Sequence, residues 1–237
     1  MPGDATFRAV AASLFPDGFE IAVEGDFLRG AGRCGGRELA VIGTTNHAEM
    51  GIELALSMAG AVLDTVRSAP GRPLLFLIDT SGQRLRRRDE LLGIQRYLAH
   101  LAKVVEVARQ LGHRSIGLIY GQALSGGFLP NAMMSDVCAA LPESEIRVMG
   151  LSAMAKVMRI PEERLRELSA VSSVIAPGPD NFVKLGAVDA LWDGDLASWL
   201  LAALDRTDAR DRRAELGLAR GGRVLAQPVA ARVATDP

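Results

Sequence analysis

Chemically reactive side chains are scarce in this sequence. Only two cysteines occur, Cys34 and Cys138, too few for a disulfide scaffold and too far apart for CxxC-type metal spacing. Both are expected to be ordinary reduced thiols. The three histidines, His47, His100 and His113, stand singly, with no metal-ligand cluster and no phosphate loop beside them. Aromatic residues make up 5% of the chain, so a core has to be built from Ala, Leu, Val, Ile and Met. A net charge of −1 offers no global field for nucleic acid or acidic membranes. No uncharged stretch approaches a membrane span, and the first twenty or so residues carry acids and a proline where a signal peptide would be apolar. The expectation is a soluble, cytoplasmic protein with no nucleic-acid, membrane or metal partner.

What is present is apolar material arranged in order. The chain has 237 residues, 49% of them hydrophobic, enough to bury a substantial core. Phe19 to Phe27 and Glu38 to Thr44 read as strands, bounded by Gly25 and by the glycine-rich stretch from Gly30 to Gly36. Met50 to Val66 has helical spacing at Ile52, Leu56, Ala59, Leu63 and Val66. Leu74 to Ile78 is a continuous apolar strand, as expected where both faces are covered. Asp89 to Leu111 reads as one long amphipathic helix, with Leu92, Tyr97, Leu98, Leu101, Val105 and Ala108 inward and Gly112 as its cap.

Strand Ile116 to Tyr120 then leads through a glycine turn into a helix from Gly126 to Met134. Short strands are expected at Val137 to Leu141 and Ile146 to Met149. Helices are expected at Ser152 to Met158, Pro161 to Ser169 and Leu196 to Leu204. No linker divides the core, so residues 1–204 are expected to form a single α/β domain of repeated ββα units with C-terminal helices. Residues 205–237 are expected to be a charged, partly flexible extension without pattern.

Two segments carry the chemistry. Gly121-Gln122-Ala123-Leu124-Ser125-Gly126-Gly127 follows one apolar strand, and Asp79-Thr80-Ser81-Gly82-Gln83 follows another. Each can be a tight strand-to-helix connection, with Asp79 or Ser81 as a cap. Each can instead expose bare backbone and unpaired N–H groups, backed by a helix dipole, to a carboxylate or oxyanion. In that case Gly82 lines the same pocket as Gly126 and Gly127. Arg84, Arg86, Arg87 and Arg88 form either a solvated face or a docking patch for the phosphate of a carrier arm or for an acidic carrier protein. His47, in the polar loop Thr44-Thr45-Asn46-His47, is a weak catalytic candidate. Glu49 and Glu53 read more simply as acids at a helix start.

Leu75 to Trp192 resembles the gamma subunit of biotin-independent malonate decarboxylase. The resemblance rests on Ile78-Asp79-Thr80-Ser81-Gly82-Gln83-Arg84, Arg88-Asp89-Glu90-Leu91-Leu92-Gly93, Tyr120 to Phe128, Leu141-Pro142-Glu143 and Gly186-Ala187-Val188. More distantly, the turns resemble those of the alpha half of acetyl-CoA carboxyltransferases, in the crotonase superfamily. The resemblance implies a crotonase-like spiral and a beta-subunit partner of the same fold, with the active site between them. The implied reaction is decarboxylation of a malonyl thioester on an acyl carrier protein to the acetyl thioester and CO2. The carrier brings a CoA-like prosthetic arm; no cofactor is bound by this chain and no biotin is used. Gly126, Gly127 and Gly82 are then the catalytic backbone, with Ser81, Gln83, Gly121, Gln122 and Ser125 lining the substrate.

Other classes compete. The glycine turn also resembles the nucleophile turn of Clp-type serine peptidases, with Ser125 as nucleophile. Met149, followed by Gly150, stands where that family has its histidine, which leaves Ser125 without a base. A stand-alone crotonase-like acyl-CoA hydratase or isomerase needs pocket acids where Gln83 and Gln122 stand. A non-catalytic scaffold is the remaining alternative.

Overall fold

The computed structural model describes residues 2–172, 176–208 and 210–235. In chain order the elements are α1 (Pro2–Leu14), β1 (Phe19–Glu24), β2 (Phe27–Cys34), β3 (Arg37–Thr44), β4 (Ala48–Met50), α2 (Ile52–Ser68) and β5 (Leu74–Gln83). There follow α3 (Arg87–Leu91), α4 (Ile94–Gln110), β6 (Ser115–Leu124), a 3₁₀ turn (Ala132–Met134), β7 (Val137–Ala140) and β8 (Glu145–Arg147). The chain closes with α5 (Leu151–Met158), α6 (Glu162–Val171), α7 (Pro179–Lys184), β9 (Ala190–Leu191), α8 (Leu196–Asp205), α9 (Arg213–Ala219) and α10 (Ala226–Thr235). No helix among the described residues is long and apolar enough to cross a membrane.

The main sheet runs β1-β2-β3-β5-β6-β7-β9. β1, β2 and β3 form an antiparallel meander, and β3, β5, β6, β7 and β9 are parallel. Alternation along each parallel strand divides the core between the two faces. On one face Ile42, Phe76 and Ile78 pack with Met58 and Val62 of α2 and with Leu101 and Val105 of α4. On the other face Val41, Leu75 and Leu77 pack with Phe7, Ala11 and Leu14 of α1 and with Leu196 and Leu200 of α8.

β5 and β6 change partners partway. The β5–β6 register shifts between Ile78 and Thr80. Beyond that point β5 pairs β4, through Ala48 with Thr80 and Met50 with Gln83. β6 pairs β8, through Gln122 with Glu145 and Leu124 with Arg147. A short array β4-β5-β6-β8 therefore sits at the carboxyl ends of the main strands. The units beginning at β3, β5 and β7 run strand, second strand, helix, the expected ββα repeat, whereas the β6 unit ends in the 3₁₀ turn Ala132–Met134. The segments expected to be turns, Asp79 to Gln83 and Gly121 to Leu124, are instead these second strands.

Other boundaries shift for identifiable reasons. The glycine-rich stretch expected to end a strand lies largely inside β2. A Cβ on Gly30 would stand 2.0 Å from the Glu20 carbonyl oxygen, and one on Gly32 would meet the Phe15 ring at 2.5 Å, so these glycines admit close neighbours. The long helix expected from Asp89 to Leu111 is broken at Gly93, whose φ of +76° a helix cannot continue through. Leu92, expected to be inward, is 49% exposed at that break.

The C-terminal extension carries helices α9 and α10 rather than a patternless tail. Its first part is sealed onto α7. A Cβ on Gly186 would come within 2.2 Å of the Arg213 carbonyl, and one on Gly217 within 2.4 Å of the Leu185 carbonyl. Arg220 donates to the carbonyls of Val183, Val188 and Asp189.

Candidate functional site

The two glycine segments meet at the carboxyl ends of β5 and β6. Gly82 has φ +107°, which only glycine adopts comfortably, and its N–H donates to Thr80 Oγ1 at 3.0 Å. Thr80 Oγ1 in turn donates to the Ala48 carbonyl at 2.6 Å. A Cβ on Gly127 would lie 2.7 Å from Thr80 Oγ1 and 2.8 Å from Gly82 Cα. A Cβ on Gly82 would lie 2.8 Å from the Leu124 carbonyl. The loops interlock at bare backbone, as expected if they share a pocket.

The available donors differ from the expected set. The Ser125 N–H is taken by the Arg147 carbonyl at 3.0 Å, and the Gly127 N–H leans on the Leu124 carbonyl at 3.3 Å. Among the described residues, the Gly126 N–H has no protein acceptor. Around Gly126 there is space, since a Cβ there would find only Gln83 Oε1, at 3.7 Å. The glycines thus divide their work: Gly82 and Gly127 are small for packing, whereas Gly126 offers an open amide.

The helix expected from Gly126 to Met134 is absent. Turns run from Ser125 to Asn131, and only the 3₁₀ turn Ala132–Met134 follows. Proline at 130 and two adjacent glycines do not sustain a helix there. No helix dipole backs the site, so any anion stabilisation comes from local N–H groups.

The polar side chains are drawn into carboxylate contacts. Gln122 Nε2 donates to Glu145 at 2.9 Å, and Gln83 Nε2 donates to Glu90 at 3.1 Å. Ser81 and Ser125 are exposed beside them, and Ser125 has a left-handed φ of +52°. Gly121 is bare because a Cβ would press on Asp79 Oδ1 at 2.5 Å.

The arginine run is mostly paired. Arg84 reaches Glu49 at 3.7 Å and Glu53 at 3.5 Å; Arg86 meets Glu49 at 3.1 Å and Arg88 meets Glu53 at 2.5 Å. A backbone hydrogen bond and then Arg88 hold the exposed Glu53 carboxyl below its usual range. Arg87 is exposed and makes no ion pair among the described residues. Two carboxylates thus offset two of the four guanidinium charges; surface pairs of this kind contribute little to stability.

Asp79 is the polar centre that the sequence disguised as a cap. It is 3% exposed in an otherwise apolar strand. Its Oδ2 accepts the His47 N–H at 2.8 Å, and its Oδ1 accepts the Gln122 N–H at 2.9 Å and contacts His47 Nδ1 at 2.7 Å. Behind it, burial pushes the Tyr120 phenol well above its usual range, so the hydroxyl stays neutral and donates to the Thr44 carbonyl at 2.8 Å. A lone acid between Ile78 and Thr80 was the one signal in the sequence that could have shown this cluster.

The spiral of ββα units, with two glycine segments meeting where neighbouring strands end, defines a crotonase-type carboxyltransferase fold. Transcarboxylase 12S shares it at a TM-score of 0.70 and 19% identity, over 84% of this chain and 40% of that one, a likeness of fold alone. The model of the family described as malonate decarboxylase gamma subunit matches residues 45–236, and the chain belongs to that family. It is 27% identical to a chain of the Pseudomonas malonate decarboxylase MdcD-MdcE hetero-dimer, at a TM-score of 0.72, covering 96% of this chain and 95% of that one. A curated relative, the malonyl-S-ACP:biotin-protein carboxyltransferase MADD of Malonomonas rubra, is 32% identical over 151 residues, 60% of this chain and 52% of that protein. The chain spans about half the length of the curated relative it matches.

Proposed function

We propose that this chain is the gamma half of a cytoplasmic malonyl-thioester decarboxylase. With a beta subunit of related fold it converts malonyl-S-acyl carrier protein to acetyl-S-acyl carrier protein and CO2. The Gly126 amide, with Gly127 beside it and Gly82 supporting the loop from below, receives the malonyl carboxylate. The beta partner holds the thioester oxygen, and the acyl carrier protein brings the substrate on its CoA-like arm. The chain itself carries no cofactor and no biotin. Ser81, Gln83, Gly121, Gln122 and Ser125 line the substrate side.

The observation that carries this reading is the open Gly126 amide at the point where two loops of the family-matched region interlock. The scarcity of acids and bases fits the chemistry. Loss of CO2 leaves its bonding electrons on an enolate, and donors of the beta partner aimed at that oxygen lower the barrier by a few kcal/mol each, while the Gly126 amide orients the departing carboxylate. Exposed apolar side chains near these loops, including Leu85, Leu129, Val148 and Met149, suit coverage by a partner subunit. The paired arginines favour a solvated face over carrier docking, with Arg87 the remaining candidate contact.

The relative from Malonomonas rubra supports a second reading, in which the carboxyl group passes to biotin on a separate protein. One assay separates the two. The assembled complex is given malonyl thioester with and without a biotinylated acceptor, and avidin is added. The expected result is CO2 release that needs no acceptor and ignores avidin; absolute dependence on the acceptor establishes transfer instead. Gly126→Val keeps the backbone N–H but sets a branched side chain beside it, so it should leave assembly intact and lower kcat/KM for malonyl thioester by at least ~10-fold, the scale of one lost hydrogen bond to a charged group. An unchanged kcat/KM removes Gly126 from the site.

A further inference from the structure

We propose that His47 is the acid that returns a proton to carbon after CO2 leaves, resting on the decarboxylase reading above. Asp79 is a pure acceptor when ionised, so the 2.7 Å contact makes His47 Nδ1 the donor. The ring is fixed on that side, and Nε2 faces outward on a side chain that is 61% exposed. The same loop is tied to both glycine segments. The His47 carbonyl accepts the Ser81 N–H at 3.4 Å, and Asp79 Oδ1 bridges His47 to the Gln122 N–H. A buried carboxylate orienting an accessible imidazole, on a loop hydrogen-bonded to both glycine segments, is the arrangement that proton transfer requires.

The backbone is compatible with this placement. Asn46 and His47 both adopt left-handed conformations, at φ +58° and +52°. Glycine is the residue that takes such a position without strain. Asparagine and histidine enter this region more readily than most other residues, so the turn holds the imidazole in place at little cost.

The step balances. The C–C bond to the carboxyl breaks, CO2 departs and the electron pair becomes the enolate. The Nε2–H bond of the imidazolium then breaks, its proton forms the new C–H bond at the former malonyl methylene, and the thioester carbonyl is restored. Neutral imidazole recovers a proton from water, so one solvent proton enters the product for each CO2 released. By reversal, the same imidazole removes a methyl proton from the acetyl thioester.

The test uses the assembled complex with its beta partner and acyl carrier protein. Two rates are measured: decarboxylation of malonyl-S-acyl carrier protein, and exchange of the acetyl methyl hydrogens of the product for deuterium in D2O, followed by mass spectrometry. His47→Gly relieves the left-handed backbone but removes the Nδ1 bond to buried Asp79, so the folded complex should survive with a melting temperature lowered by no more than about 10 °C. It should lose both rates by about 100-fold or more at nearly unchanged KM, and added imidazole should restore part of each. His47→Asn, which also tolerates this backbone, should fall equally and gain nothing from imidazole. Parent-like exchange in either variant overturns the proposal while leaving the decarboxylase reading intact. A parent complex that does not decarboxylate malonyl thioester overturns both.

Discussion

Gly127 and Gly126 are neighbours that should fail in opposite ways when replaced. Adding one methyl group at Gly127 places a carbon 2.7 Å from Thr80 Oγ1 and 2.8 Å from Gly82 Cα. Neither neighbour is a flexible side-chain end: one is backbone, and the other is bonded to the Ala48 carbonyl and the Gly82 N–H. Relief requires moving the Gly82 loop or rotating Thr80 away from both partners. Overpacking of this kind costs about 1–3 kcal/mol, and a disrupted buried hydrogen bond adds about 1 kcal/mol. The sum is about 2–4 kcal/mol, which for a chain of this size lowers the melting temperature by on the order of 10 °C. At Gly126 the same methyl group meets one atom, at 3.7 Å, and the expected change is within about 0.5 kcal/mol. Neither glycine has a positive φ, so backbone strain does not blur the comparison. Thermal melts of Gly127→Ala and Gly126→Ala beside the parent measure the difference. Equal melting temperatures would refute the claim that Gly127 is a packing position and Gly126 an open one.

Two further outcomes follow from the extension and the thiols. Arg220→Ala removes donors from three backbone carbonyls and should cost about 2–3 kcal/mol locally; limited proteolysis should then cut between α8 and α10 well before the parent is cut, and an unchanged pattern would show that the staple holds nothing. Burial pushes the Cys138 thiol up to about 12, and burial followed by Asp17 and Asp195 raises Cys34. A raised thiol pKa disfavours the reactive thiolate, so labelling by a disulfide reagent should stay slow from about pH 7 to about pH 9 while climbing roughly tenfold per pH unit, and should speed up sharply with denaturant; a plateau below about pH 9 would refute the raised values.

The apolar pattern made much of the fold legible. Leu74 to Ile78 and Ile116 to Tyr120 are apolar without interruption because helices cover both faces of the sheet. The helices α2, α5, α6 and α8 announced themselves by spacing, to within two residues at each end. The N-terminal helix α1 was not legible. Its inward residues Phe7, Ala11 and Leu14 become meaningful only against the sheet face that α8 shares with it.

The site was half legible. Small residues after apolar strands marked Gly82, Gly126 and Gly127, and the family text named the chemistry. The local sequence alone favoured strand, turn and helix at both places. Pairing with β4 and β8 turned those segments into second strands, a decision made by partners 23 or more residues away in sequence. The roles of individual groups were settled the same way. Which amide stays free depends on whether a distant carbonyl, such as that of Arg147, happens to face it. The sequence by itself determined the main apolar strands, much of the core and the family, because hydrophobic periodicity and short motifs are local properties. Only the tertiary structure decided which glycine is open and which is packed, and that a lone buried acid aims a solitary histidine, because hydrogen bonds join residues that the chain order keeps apart.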